Sequence, residues 1–424
     1  MKILDMSLAC GLDFGTSNST LGRIGGDGQP QLLALEGDNQ TMPSVLFFGF
    51  EDNQVHFGRA AVREYVTGAE GRLMRSLKSV LGTALYKDTT RIKAKRLGFG
   101  EIIGTYVGEL KQRAEARLGD ELTQVVMGRP VQFVDDDPVA DREAQDQLET
   151  AVRAQGFKDI AFQFEPIAAA LDYERQVSGE KLALIVDLGG GTSDFSLVRV
   201  SPERRGAGDR SGDILATTGV HIGGTDFDRL LAMSRVMPEL GLGSLTKDGK
   251  RHLPVAPYFD LSTWHRINRL YDAQAIRDLK STMREAIEAE RVETMIMLVE
   301  DRLGHRLVGE VEAAKIALSD ADLTQFRFPV RDRLIETEIT AGQLGEALDG
   351  SVGKLEATIG ETLRLAGISA GDVDSLILTG GSTLVPAVSG RLRALFPEAE
   401  VVRTDVLSSV GLGLALEAKR IFGA

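Results

Sequence analysis

The sequence has few of the features of a secreted, membrane-spanning or nucleic-acid-binding protein. Its single cysteine cannot form an internal disulfide, which fits a reducing compartment. No apolar run approaches membrane-spanning length, and an N-terminus with a lone Lys2 and with Asp5 is too polar for a signal peptide. The 49 Lys and Arg residues are outnumbered by 62 Asp and Glu residues, which disfavours general nucleic-acid binding. We therefore expect a cytoplasmic protein with neither a nucleic-acid nor a membrane partner.

Two common nucleotide-binding motifs are also missing. The chain has no Gly-x-x-x-x-Gly-Lys-Ser/Thr, and no Gly-x-Gly-x-x-Gly opens a helix after a predicted strand. The P-loop and Rossmann interpretations therefore lose their main support. Cys10 has no Cys or His close to it in the sequence, so we interpret it as a small core residue rather than a metal ligand or reactive thiol.

Two short segments, about half the chain apart, have nearly the same design. Residues 11–18 read Gly-Leu-Asp-Phe-Gly-Thr-Ser-Asn, and residues 187–194 read Asp-Leu-Gly-Gly-Gly-Thr-Ser-Asp. Each follows an apolar run, so a predicted strand brings Asp13 or Asp187 to a glycine turn. Amides that converge in such a turn bind anions, and a carboxylate beside them is an oxygen ligand suited to Mg²⁺. We expect two lobes that hold one Mg-polyphosphate from opposite sides.

The remaining pattern predicts an α/β architecture built twice. Helices are predicted over 59–82 and 101–118, and long amphipathic helices over 260–303, where Leu279, Met283 and Ile287 share one helical face. Two further glycine turns, near residues 224 and 380, stand at helix entries, where the helix dipole favours anions. Four such turns together predict nucleotide binding.

A second group of polar residues is Glu312, Lys315 and Ser319, whose spacing places them on one helical face. The Glu and Ser can bind the edges of a ribose and a base, and the Lys can reach a hydroxyl. A solvated helix face with an ordinary ion pair explains the spacing equally well. Lys78, considered alone, is an ordinary surface lysine on the helix predicted over 59–82.

The order of these motifs resembles the ATPase half of the seventy-kilodalton heat-shock chaperone family, within the actin-like ATPase superfamily. Within that family the chain is most similar to the short bacterial YegD-type proteins. The resemblance covers essentially the whole chain. The matching segments are 11–19, 40–48, 78–82, 164–170, 185–196, 221–228, 312–319, 376–386 and 405–411.

The resemblance implies an actin-like ATPase fold with two lobes, each containing a ribonuclease-H-like sheet flanked by helices. Lobe I would comprise residues 1–180 plus 404–424. Lobe II would comprise 181–403, with a helical insertion at about 235–305. No β-rich peptide-binding domain is expected. We therefore expect a protein partner to bind the ATPase unit itself, through the helices of 235–305.

The resemblance also implies a catalytic set and a metal site. Asp13, Asp187 and Asp194 would hold Mg²⁺ mostly through water, and Asp194 with Thr192 would help to seat cations, K⁺ among them. Lys78 would aim the attacking water and stabilise charge on the γ-phosphate, and Glu165 would polarise that water. Pro130 with Glu165 would couple the site to interlobe motion. The implied catalytic residues are Asp13, Lys78, Glu165, Asp187 and Thr192.

The resemblance further implies which residues bind ATP or ADP, with the two glycine turns on the phosphates and the remainder on the nucleoside. They are Gly15, Thr16, Ser17, Asn18, Gly189, Gly190, Gly191, Thr192, Gly223, Gly224, Glu312, Lys315, Ile316, Ser319, Gly380, Gly381, Ser382, Leu384 and Asp405. Ile316 and Leu384 stand where the family has arginines that flank adenine. Loss of each cation–π contact, worth roughly 0.5–2 kcal/mol, predicts weak discrimination between bases.

The expected function is a slow, chaperone-like ATPase that switches lobe closure with its nucleotide and acts through partner proteins. A sugar-type kinase shares the fold and the phosphate turns, but Lys78 and the Glu165-Pro166 pair disfavour it. A filament-forming actin-like protein is a third alternative. A protein that only binds nucleotide is the fourth, and the intact Asp13 and Asp187 disfavour it.

Overall fold

The computed structural model describes residues 8–134, 137–204, 207, 209–402 and 409–423. Asp405, one of the predicted nucleotide-binding residues, lies outside these ranges. The strands are β1 (Leu8–Phe14), β2 (Asn18–Ile24), β3 (Pro30–Leu32), β4 (Thr41–Pro43), β5 (Val45–Gly49), β6 (Val55–Phe57), β7 (Gly71–Arg75), β8 (Thr89–Ile92), β9 (Lys95–Gly98), β10 (Leu122–Arg129), β11 (Asp159–Phe164), β12 (Lys181–Leu188), β13 (Ser193–Val200), β14 (Ile214–Val220), β15 (Leu323–Val330), β16 (Arg333–Thr340), β17 (Ser375–Thr379) and β18 (Glu400–Val402).

Helices follow most of the long strands, as expected for an α/β protein. They are α1 (Gly58–Val66), α2 (Phe99–Leu118), α3 (Pro138–Arg153), α4 (Glu165–Glu174), α5 (Gly224–Leu231), α6 (Ala256–Leu261), α7 (Ala273–Glu285), α8 (Ala289–Glu300), α9 (Gly304–Ala317), α10 (Ala341–Ala366), α11 (Pro386–Leu395) and α12 (Ser409–Phe422). None of the helices in the described ranges is long and apolar enough to cross a membrane.

Two sheets with the same topology form the centre of the molecule. The first has the strand order β11-β10-β1-β2-β3, and the second has the order β14-β13-β12-β17-β18. In each sheet one edge is an antiparallel meander and the other two pairings are parallel. The α/β architecture built twice, predicted from the pattern of strands and helices in both halves of the chain, is confirmed.

Each sheet has its own hydrophobic core, and two helices lie between the sheets. The first core includes Leu12, Phe14 and Tyr106, and the second includes Leu184, Phe195 and many residues of α5 to α11. Helix α12 packs on β1, β2 and α4, and α4 also contacts β12 and β13. We call the half that contains the sheet β11-β10-β1-β2-β3 the first lobe, and the half that contains the sheet β14-β13-β12-β17-β18 the second lobe. In the first lobe Cys10 is fully buried, as expected for a core residue.

One predicted helix is wrong. The segment 59–82 contains α1, then strand β7, then a 3₁₀ turn over Leu77–Val80. Gly68, with a positive φ of 83°, lies just after the helix, and the following residues pair with β5 along its whole length. Lys78 therefore lies in the 3₁₀ turn and not on a helix. Pairing with β5, a tertiary interaction, overrides the local helical pattern.

Short helices occupy the segment in which long amphipathic ones were predicted. Helix α7 ends at Glu285, because Ala286 adopts an extended conformation and bridges to Thr246. Ile287 therefore does not continue the face of Leu279 and Met283, and it is 57% exposed. Helix α8 supplies a second apolar face to the core of the second lobe.

Candidate functional site

A cleft of about 1340 Å³ lies between the two lobes. Of the predicted site residues within the described ranges, only Gly191 and Gly223 are absent from its lining. Those that line it are Asp13, Gly15, Thr16, Ser17, Asn18, Lys78, Glu165, Asp187, Gly189, Gly190, Thr192, Asp194, Gly224, Glu312, Lys315, Ile316, Ser319, Gly380, Gly381, Ser382 and Leu384.

The first glycine turn joins β1 to β2 and carries Thr16 and Ser17 at its tip. Asp13 precedes the turn and pairs across the hairpin with Thr20. The Ser17 carbonyl accepts a hydrogen bond of 2.8 Å from the Ser44 amide, which fixes the turn to the neighbouring loop. Within the described residues no acceptor meets the amides of Thr16 and Ser17. These amides are free to bind an anion in the cleft.

The second glycine turn joins β12 to β13, and its carbonyl groups are already bonded. Gly189 O accepts from the Gly224 amide at 2.9 Å, and Gly190 O accepts from the Thr225 amide and hydroxyl, both at 2.8 Å. The N-terminus of α5 therefore holds the turn by its carbonyls. The amides of Gly190 and Gly191 find no acceptor in the part of the chain that is described, so they too can bind an anion.

The two turns meet across the cleft. A Cβ atom added to Gly190 would lie 2.2 Å from Ser17 Oγ, so the two turns are in contact at this point. This contact brings the amides of both turns to the same end of the cleft. An anion bound there lies between two anion-binding turns, one from each lobe.

Gly223 and Gly380 allow close approach of backbone segments. A Cβ on Gly223 would lie 2.5 Å from Gly190 C and Gly191 N, which explains why this predicted nucleotide-binding residue packs behind the turn instead of lining the cleft. Gly380 has a φ of 80°, and a Cβ there would overlap Leu188 O and lie 3.0 Å from Asp187 Oδ1. Gly380 thus closes the turn that follows β17 against the end of β12.

Three aspartates lie beside the phosphate turns. Asp13 and Asp187 occupy equivalent positions near the ends of β1 and β12, and Asp187 pairs directly with Asp194 across β12 and β13. Burial, with Glu165 and Asp187 nearby, raises the pKa of Asp13 to about 7. Burial and Asp187 raise the pKa of Asp194 to about 7, and burial with Glu165 also raises the pKa of Asp187. The three carboxyl groups therefore ionise less readily than exposed ones, because they are buried close to other carboxylates.

Lys78 and Glu165 form an ion pair in the same region, with side chains 10% and 18% exposed. Lys78 comes from the 3₁₀ turn and Glu165 from the first turn of α4. Burial lowers the pKa of Lys78, but Glu165 and Asp13 offset this and raise it above its usual value. Gly128 on β10 leaves room for Glu165, because a Cβ there would lie 3.3 Å from Glu165 Cγ. Lys78 is thus a fixed cation beside the phosphate turns.

The chemistry of this acidic group fits a hydrated cation. Over the described ranges no three His, Cys, Asp or Glu side chains are placed to ligate a metal ion directly. Burial, together with repulsion from neighbouring carboxylates, raises the pKa values of Asp13 and Asp194. A divalent cation that keeps its waters would relieve this repulsion, and Mg²⁺ characteristically retains several waters.

Helix α9 forms the opposite end of the cleft. Lys315 is buried, pairs with Asp228 at 2.7 Å and donates a hydrogen bond of 3.3 Å to Gly224 O. It therefore ties α9 to the start of α5, while Glu312 is exposed in the cleft. The predicted common helical face is only partly correct, because α9 ends at Ala317 and Ser319 lies in the following turn.

Two apolar side chains face the cleft at this same end. Ile316 is 58% exposed and Leu384 is 48% exposed, and both line the cleft. Ile316 lies on α9 and Leu384 lies at the end of the 3₁₀ turn that follows β17. Exposed apolar residues at the mouth of a polar cleft are suited to cover the faces of a flat ring.

Several residues of the site were not predicted from the sequence. Thr225 holds Gly190 O by two hydrogen bonds, and Asp228 is the buried partner of Lys315. Burial raises the pKa of Asp228 to about 6, although Lys315 acts in the opposite direction. Arg75 and Trp264 line the same cleft as Glu312 and Ile316. Thr225 and Asp228 closely follow the Gly223-Gly224 pair in the sequence, which could have indicated them. No local sequence pattern marks Arg75 or Trp264.

Known proteins are similar in sequence to this chain over most of its length. The family model described as "Hsp70 protein" matches residues 9–237 and 281–423. Two similar relatives, from two strains of Thermus thermophilus, are both named "Chaperone protein DnaK". Each is 26% identical over 438 residues, and the similarity covers 99% of this chain. The chain spans 62% of the length of these relatives.

Proposed function

Since this chain belongs to the Hsp70 family, and its predicted actin-like α/β fold is thereby confirmed, we propose that it binds Mg-ATP between its lobes and hydrolyses it slowly. The observation that carries this proposal is the meeting of the two phosphate turns at Ser17 and Gly190, beside the Lys78–Glu165 pair. One ligand that contacts both turns would hold the lobes together, so closure would depend on the nucleotide present.

Each part of the cleft has a proposed role. The amides of the two turns bind the phosphates, and Lys78 stabilises charge on the terminal phosphate and aims the attacking water. Glu165, held by Lys78, accepts a hydrogen bond from that water. Phosphoryl transfer depends mainly on positioning and charge neutralisation, and the site contains no strong base, so slow turnover is expected.

The aspartates would hold Mg²⁺ through its waters. Asp13 and Asp187 face the phosphate region from the two lobes, and Asp194 adds a third carboxylate from the neighbouring strand. The bound cation would neutralise the negative charge on the terminal phosphates. The proposed K⁺ site, at Asp194 and Thr192, rests only on the position of these residues in the lining.

We further propose that the protein acts in the cytoplasm as an ATP-dependent chaperone through partner proteins. The relatives are named chaperones, which supports this class of function. The helices from about 235 to 305 would offer one surface for a partner. Residues 1–180 plus 404–424, and 181–403, are the proposed limits of the two lobes.

The test is phosphate release from Mg-ATP without any acceptor, compared between the wild-type protein and Asp187→Asn. The carboxamide keeps the shape of Asp187 but removes its charge. We expect slow release by the wild type and at least a tenfold lower rate in the variant, with ATP affinity changed much less. Asp374→Asn, a carboxylate change at the far end of the same sheet, is the control. Equal rates in all three proteins would refute the assignment.

A further inference from the structure

A hairpin of the first lobe concentrates positive charge in a chain that is acidic overall. Residues 89–98, which form strands β8 and β9, include four Lys and Arg residues and no Asp or Glu, whereas the whole chain has a formal net charge of −13. The last cross-strand pair is Ile92 with Lys95, so the chain reverses through Lys93 and Ala94. The hairpin lies apart from the candidate nucleotide site, because none of its residues lines the cleft.

The two faces of this hairpin differ in character. Thr90 is buried, and its cross-strand partner Leu97 packs against the core of the first lobe. On the other face Arg91 and Arg96 pair directly with each other, and both are exposed. Like charges that lie directly opposite each other on neighbouring strands destabilise the pairing. The exposed face therefore carries two arginines that disfavour the hairpin on which they stand.

The hydrogen bonds of these two arginines leave their charge unbalanced within the described part of the chain. Arg91 Nε donates to Lys93 O at 2.8 Å, and Arg96 Nε donates to Thr89 Oγ1 at 2.9 Å. Among the described residues, no carboxylate forms an ion pair with either arginine, and no acceptor meets their Nη atoms. Each guanidinium group is thus oriented through Nε, while its Nη atoms are free to bind a carboxylate.

The hairpin is fixed to the first lobe at both of its ends. Lys93, in the turn, has a φ of 54°, a conformation that favours glycine. Its ammonium group donates to Phe50 O and Asn53 Oδ1, in the loop that follows β5, and lies 5.8 Å from the centre of the Phe50 ring. At the other end the Gly98 amide donates to Glu101 Oε2 at 2.8 Å, at the start of α2. A surface held in one conformation loses little entropy when it binds a partner.

The charge of the hairpin selects an anionic partner, and the charge of the rest of the chain favours a short one. A long polyanion, such as a nucleic acid or an anionic membrane, would also meet the surrounding surface of a protein whose net charge is −13. At physiological ionic strength, charges are screened over about 8 Å, so the hairpin attracts only groups close to it. A short polypeptide segment with neighbouring Asp or Glu residues can contact the hairpin alone.

We propose that Arg91 and Arg96, here called the arginine pair, bind the carboxylates of a short acidic segment of a partner protein. Carboxylates bound to the two guanidinium groups would relieve the repulsion between them. This surface lies on the first lobe, and so differs from the helices of about 235 to 305 proposed above as a partner surface. Binding at the arginine pair requires no nucleotide in the cleft.

Fluorescence anisotropy of a fluorescein-labelled octaglutamate peptide, titrated with the full chain, tests the arginine pair. We expect the wild type to bind the peptide and to lose affinity as salt is added. Arg91→Ala/Arg96→Ala should bind about tenfold more weakly, because two charge-assisted contacts are lost. Arg142→Ala/Lys354→Ala, which removes two exposed cations elsewhere, has the same net charge and should bind as the wild type does.

Two results of this titration would overturn the proposal. One is a wild type that binds no octaglutamate, and the other is equal binding by the two double variants. Labelled octathymidylate and vesicles that contain phosphatidylserine serve as competing probes. Tighter binding of either through the arginine pair would also overturn the assignment, in favour of a nucleic-acid or a membrane partner.

A charge-reversal variant separates binding from folding. Arg96→Glu places opposite charges across the hairpin, so its melting temperature should be no lower than that of the wild type, while octaglutamate binding is lost. A clear fall in melting temperature in Arg96→Glu would show that the arginine pair serves the fold, and would overturn the proposal. Both measurements are made without nucleotide, so their failure is distinguished from a failure of the proposed ATPase function.

Discussion

The apolar pair at the nucleoside end gives a quantitative prediction about base recognition. Ile316 is 58% exposed and Leu384 is 48% exposed, so a bound base can cover about half of each residue. Complete burial of such a side chain contributes about 1.5–3 kcal/mol, so half of that burial contributes roughly 1 kcal/mol. Truncation to alanine should then weaken nucleotide binding about fivefold per side chain, and about 30-fold in the double variant.

The free energy gained by burying Ile316 and Leu384 is non-directional. It should therefore not depend on which base is bound. Apolar contact distinguishes poorly between purine rings, so ATP and GTP should lose affinity by the same factor in Ile316→Ala and Leu384→Ala. Calorimetric titration with both nucleotides measures this directly. Leu365→Ala, which removes a side chain that is 53% exposed and outside the cleft lining, is the control. ATP binding more than 100-fold tighter than GTP binding, or loss of ATP binding alone, would refute the reasoning.

Three further predictions concern the turns, the acidic group and the packing of α12 on α4. Gly190→Ala should weaken ATP binding more than Gly191→Ala in titrations, because only the first added methyl overlaps Ser17; equal losses would contradict this. Because the pKa values of Asp13 and Asp194 are raised to about 7, the ligand-free folded protein binds protons more tightly than the unfolded chain. Its melting temperature should therefore fall as the pH rises from about 4 to about 7, the interval between the usual and the raised pKa values, and Mg-ATP should stabilise it more at pH 8 than at pH 5.5. A melting temperature that rises over this interval, or stronger stabilisation by Mg-ATP at pH 5.5 than at pH 8, would refute the proposed roles of Asp13 and Asp194. Gly413→Ala places a methyl group against the Ala168 carbonyl and should cost about 1–3 kcal/mol in denaturant unfolding. Gly353→Ala, which meets nothing, should be neutral or stabilising, and equal effects of the two changes would be inconsistent with close packing of α12 on α4.

The sequence was most informative where local pattern and chemistry coincide. A strand that ends in Asp-x-Gly is followed by a turn, and two copies of this pattern predicted two lobes that bring Asp13 and Asp187 to one cleft. Helix α2 was also predicted almost to its ends, because its apolar residues keep one period throughout. These features depend on neighbours in sequence.

Features that depend on distant partners were not predictable. Strand β7 exists because it pairs with β5, and its own residues suggested a helix. The connection between β13 and β14 carries Arg210 and Asp213, which are buried in an ion-pair network with Glu174 on α4. Likewise the contact of Trp264 with Tyr65 joins residues about 200 positions apart. Single-sequence patterns contain no information about such pairs.

The most direct test of the central claim is to quantify ADP and inorganic phosphate in one single-turnover reaction of the protein with Mg-ATP, with no acceptor present. We expect slow formation of ADP and phosphate in equal amounts, because Lys78 and Glu165 position water as the phosphoryl acceptor. Binding of ATP without either product, or ADP without phosphate, would contradict it, and the second result would identify transfer to another acceptor.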